Sequence, residues 1–91
     1  MVKDVEVVIT KRVRVTLDES KFDQTFLAEF RESFYPFRTL NEHIEHLAQL
    51  EARELVSDGF DEYEFIEGYG PRSEMGIELK TIDVDVEMRV L

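Results

Sequence analysis

Residues 5–17 read VEVVITKRVRVTL, and how this stretch is divided decides the fold. Val5, Val7, Ile9, Val13, Val15 and Leu17 fall on one face; Glu6, Thr10, Arg12, Arg14 and Thr16 fall on the other. Period two is the signature of a strand with one buried face. Lys11 interrupts the apolar row, which predicts a bulge or a turn at that point. No Gly, Pro or Asn marks a turn there, so one long bent strand is expected rather than a hairpin.

The other end of the chain carries the same signal. In IELKTIDVDVEMRVL, residues 77–91, Ile77 and Leu79 share one phase, while Ile82, Val84, Val86, Met88 and Val90 share the other. The slip at Lys80–Thr81 predicts a bulge. Asp83, Asp85 and Glu87 then line the outer face, and antiparallel pairing with the first strand brings them near Arg12 and Arg14.

Between the strands the period lengthens. Phe22, Phe26, Leu27, Phe30 and Phe34 make one helical stripe, with Ser20 and Asp23 at the spacing of a capping box. Pro36 disfavours helical geometry at Tyr35 and ends that helix. Thr39–Glu42 (TLNE) is a capping box for a second helix reaching about Val56, with Leu40, Ile44, Leu47, Ala48, Leu50 and Leu55 facing inward. FYPF, residues 34–37, is expected as core at the corner between the helices. Glu51 falls near the middle of the second helix's apolar face. A lone buried carboxylate is costly, so it should reach an arginine or line an opening. A short strand at Glu62–Ile66 and a turn at GYGP, residues 68–71, complete the order strand, helix, helix, strand, strand. The expected fold is α+β: one domain over residues 1–91, with an antiparallel sheet of three to four strands and two helices on one face.

The 91 residues include 21 Asp or Glu against 11 Lys or Arg, and the surplus is unevenly placed. Residues 1–38 balance seven acids with seven bases, so the whole net charge of −10 lies in residues 39–91. There is no cysteine, which excludes disulfides, thiol catalysis and cysteine-bound zinc. No apolar run has the length of a membrane span or a secretion signal, and a cytoplasmic protein is expected. Clustered Lys and Arg are wanting, which argues against direct nucleic-acid binding.

Motifs for chemistry fail on spacing. In EHIEH, residues 42–46, His43 and His46 are three apart, matching neither zincin order, and surface histidines are expected. The acids from Asp58 to Glu67 lack the register of a calcium loop, since Gly59 follows Asp58 at once. No serine sits in a nucleophile elbow, and GYG lacks the lysine of a phosphate loop. No enzyme activity, metal or cofactor is expected. What remains is surface. Glu42, Glu45, Asp58, Asp61, Glu62, Glu64 and Glu67 are expected to form an acidic ridge, with Tyr63 and Tyr69 as aromatic anchors for a partner. For Tyr63, Phe65 and Tyr69, folding back onto the sheet edge is the alternative.

Small size, acidity, an α+β pattern and the absence of cysteine resemble the phage-encoded anti-CRISPR proteins. FLAEFRESFYPF (26–37), EHIEHLAQLEARELV (42–56) and FIEGYGPRSEMGI (65–77) are similar to stretches of phage and prophage proteins. The resemblance implies an inhibitor whose acidic surface occupies the basic nucleic-acid-binding face of a protein partner, such as a CRISPR effector in the host cytoplasm. Its members share no motif, so no residue role carries over. The alternatives are a phage assembly module, monomeric or homodimeric, and a cation-binding protein.

Overall fold

In a computed structural model, which describes residues 1–56 and 64–91, the first strand is unbroken. Strand β1 (Val5–Thr16) pairs antiparallel with the strand at the other end of the chain, Glu78–Val90. Their register runs from Val5 opposite Val90 to Thr16 opposite Glu78. The register shifts once, where Arg12 faces Asp83 but Val13 faces Thr81, leaving Ile82 as the extra residue. The slip expected at Lys80–Thr81 is therefore a bulge at Ile82 in the C-terminal strand. The bulge expected at Lys11 is absent, because β1 keeps its alternation throughout. Lys11 stays on the apolar face and gives its charge elsewhere: its Nζ donates to the Ala52 carbonyl (2.8 Å) and lies 3.7 Å from the Glu54 carboxylate.

Helix α1 (Gln24–Ser33) starts at Asp23, whose carboxylate accepts from the Phe26 N–H at 2.8 Å. Asp23 is thus the cap itself and not the third residue of a box begun at Ser20. Ser20 belongs to a 3-10 turn, Glu19–Lys21, capped by Asp18. Helix α2 (Leu40–Ala52) carries the capping box expected at Thr39 and Glu42, with both reciprocal hydrogen bonds formed. It stops four residues short of Val56, where Glu54 adopts φ 57°.

Strands β2 (Phe65–Ile66) and β3 (Gly70–Pro71) form a small hairpin, and a 3-10 turn (Arg72–Met75) leads into β4 (Glu78–Val90). The fold is α+β. The single sheet of three to four strands is not formed among the described residues: two separate two-stranded sheets, β1–β4 and β2–β3, replace it. Two residues of β2 and two of β3 give too few ladder bonds to extend the long ribbon.

Leu47 and Leu79 are fully buried, and Phe22, Phe30, Ile66, Tyr69, Met75 and Ile77 complete the core beneath α2. His43, expected on the surface, is also fully buried. The inward stripe of α2 is Leu40, His43, Leu47 and Leu50, which is the regular three-and-four spacing once histidine is admitted. Rings of Phe30, Phe37 and Tyr69 surround His43 with centroids 4.6–5.7 Å away. Of FYPF, Phe37 packs on the core, whereas Phe34 and Tyr35 are exposed. Leu55, expected inward, is exposed because the helix has already ended.

Candidate interaction surface

The ribbon is longer than its cover. Twelve residues of β1 extend about 40 Å, whereas the 13 residues of α2 span about 20 Å. Helix α2 covers the half of the ribbon that holds Val13, Val15 and Leu79, and its C-terminus is closed by Lys11. Beyond Lys11 the same face continues with Val5, Val7 and Ile9 on β1 and Val84, Val86, Met88 and Val90 on β4. These seven side chains are 50–73% exposed. Together they present roughly 600 Å² of contiguous apolar surface, the upper end of what a typical monomer shows.

The molecule measures 57 × 28 × 18 Å, and its radius of gyration is 16.4 Å. A compact chain of this length has a value of about 12 Å. The projecting ribbon makes the difference. A bare two-stranded ribbon is marginally stable in water, so a strand pair extended this far with an open apolar face is built to be covered.

The reverse face of the ribbon is charged and only partly matched, since Arg14 lies opposite Lys80. Glu6 and Arg89 form an exposed ion pair (2.9 Å), and Arg12 lies opposite Asp83. Asp85 and Glu87 stand opposite Thr10 and Val8, exposed. The sequence placed these acids and bases on one face correctly.

Along the free edge of β1 runs a cleft of about 600 Å³ between the ribbon and α2. Its floor is Lys11 and Val13, its wall Ala48 and Ala52, and its far end Glu42 and Glu45.

The acidic ridge is only partly present among the described residues. Glu42 is committed to the helix cap, accepting from the N–H groups of Arg38 and Thr39, which lowers its pKa. Glu45 and Glu67 are exposed, on α2 and in the β2–β3 turn. Glu64 is a correction: its carboxylate pairs at 3.1 Å with the guanidinium of Arg72, which is 2% exposed. Tyr69 is a second correction. It is 5% exposed with its hydroxyl 2.8 Å from Nδ1 of His43, so it belongs to the core and offers no surface anchor. Asp58, Asp61, Glu62 and Tyr63 lie outside the described residues.

Glu51 is 4% exposed, as its place on the helix implied, and accepts a hydrogen bond from Thr81 Oγ1 at 3.0 Å. That bond joins α2 to β4 just before the bulge. Among the described residues no three His, Asp or Glu side chains gather as a metal site, and no helix is long and apolar enough to cross a membrane. Burial lowers the pKa of both His43 and His46 and raises that of Tyr69.

Comparison with protein families, with curated proteins and with solved structures finds no match to this chain.

The open ribbon face was missed by sequence reasoning, although the signal was there. Two strands of about 40 Å cannot be covered by one helix of about 20 Å, whatever the details of packing.

Proposed function

We propose that this chain is a non-catalytic protein–protein interaction module, acting in the cytoplasm, whose binding surface is the uncovered apolar half of the β1–β4 ribbon. The observation that carries this reading is the seven exposed aliphatic side chains beyond Lys11, in phase with the core face and roofed by no described residue. Burying roughly 600 Å² of apolar surface is worth on the order of 15 kcal/mol before the costs of association, enough to support a specific complex. Ile9→Asp tests the reading. It puts a charge on the apolar face at a residue that is 58% exposed and outside the core, so thermal stability should hold while association is lost. A wild-type protein that is monomeric and captures nothing at either low or high salt would refute it.

A second reading keeps the acidic surface as the working part, directed at the basic nucleic-acid-binding face of a partner. The observation favouring it is Asp83, Asp85 and Glu87 at alternate positions of β4, each about 6.6 Å from the next. Arg12 opposite Asp83 and Arg89 near Glu87 weaken that field. Salt separates the two readings. A contact made by carboxylates weakens steeply as ionic strength rises, whereas an apolar one hardly changes.

A further inference from the structure

Resting on the interaction-module reading, we infer that the partner is a second copy of this chain, docked edge to edge along β1 about a two-fold axis through Ile9. No described strand occupies the outer edge of β1, and an open, aliphatic edge strand is a template for another strand. Antiparallel pairing of β1 with its own copy, centred on Ile9, sets each residue opposite the one whose number brings the pair's sum to eighteen. Glu6 then faces Arg12 of the partner subunit, and Asp4 faces Arg14 of the partner subunit, twice each by symmetry. One register satisfies every formal charge on the outer face of this edge. Centring on Val8 or Thr10 leaves Glu6 or Asp4 opposite threonine.

The same register fits the apolar face. Val7 falls beside Lys11 of the partner subunit and Val5 beside Val13 of the partner subunit, which places both aliphatic side chains over the cleft along α2. One step further in phase, Lys3 meets the end of that cleft where Glu42 and Glu45 stand. Each bare half-ribbon is thereby flanked by the helix that shelters the other. The β4 edge cannot serve in this way. Any two-fold pairing centred on Val84, Asp85 or Val86 sets carboxylates of Asp83, Asp85 and Glu87 against one another, and like charges directly opposite are destabilising. Two chains of net charge −10 can approach only where charge is balanced, and residues 1–38 are the balanced half.

The chain has no cysteine, so single cysteines report the register cleanly. Opposite residues of an antiparallel pair have Cα atoms about 4.5–5.5 Å apart, within reach of a disulfide. Ile9→Cys should cross-link to a covalent dimer under mild oxidation. Val7→Cys alone should not, and a mixture of Val7→Cys with Lys11→Cys should. Wild-type protein at about 0.1 mM, well above the dissociation constant of a stable interface, should sediment at twice the 10.7 kDa chain mass. A charge swap gives an independent arm. Within one chain, Arg12→Glu faces Asp83 and Glu6→Arg faces Arg89, so intrachain repulsion makes the double variant worse than either single one. Across the two-fold the double variant restores attraction, so its dimer should be tighter than that of either single variant. A monomeric wild type, a dimer in which Val7→Cys cross-links and Ile9→Cys does not, or a double variant weaker than both singles overturns the inference. If the wild type is monomeric yet captures another protein, and Ile9→Asp abolishes the capture, the module reading stands and only the second copy is lost.

Discussion

His43 shows how one side chain can be written for the core while looking like surface chemistry. It sits in an aromatic cage with its one described polar partner, the Tyr69 hydroxyl, 2.8 Å from Nδ1. Phe30 and Phe37 meet the ring edge-on, a favourable arrangement for an aromatic pair. Burial is the main cause of its lowered pKa; His46 and Arg31 act in the same direction, and Glu42 opposes them. A histidine held neutral in the fold binds a proton more readily when unfolded. Stability from this group is therefore complete above about pH 6.5 and falls as the pH drops from there toward the depressed folded value. Thermal melts should show Tm decreasing between about pH 7 and about pH 5.5, and His43→Gln should flatten that slope. Glu64 gives a second residue-scale expectation. Its partner Arg72 is almost fully buried, so Glu64→Lys should cost about 3 kcal/mol or more, read as a shift in the urea midpoint. A solvated acidic ridge would instead tolerate the reversal.

At the scale of elements, ends and turns carry the specificity. The Thr39–Glu42 box satisfies two otherwise free N–H groups of α2, and Thr39→Ala should destabilise by about 1 kcal/mol in chemical denaturation. Gly68 turns the β2–β3 hairpin at φ 90°, and a Cβ there would stand 2.5 Å from Phe30 Cε2. Gly68→Ala should cost at least about 2 kcal/mol, because the left-handed backbone and the ring both refuse the methyl group. These elements were largely legible in the sequence. The single long first strand, the slip in the last one, the cap of α2 and the place of Glu51 all follow from spacing alone. The second helix was read too long, because its apolar residues continue in phase to Leu55 while Lys11, 41 residues away, closes it at Ala52.

For the whole molecule, charge and shape act together. A net charge of −10 on 91 residues repels itself, and most of it lies outside the described ion pairs. Tm should rise with added salt as the screening length falls from about 30 Å at 0.01 M to about 10 Å at 0.1 M, checked by melting across that range.

The sequence by itself determined the α+β class, the alternating faces of the two terminal strands, the bulge in the second and the helix cap. Each of these is a local pattern, fixed by the period of the backbone or by a side chain reaching three residues along. Only the tertiary structure decided that Tyr69 turns inward to His43, that Glu64 neutralises Arg72 and that half the ribbon is left bare. Those outcomes depend on which surfaces meet across dozens of residues, and on a helix being half as long as the strands beneath it.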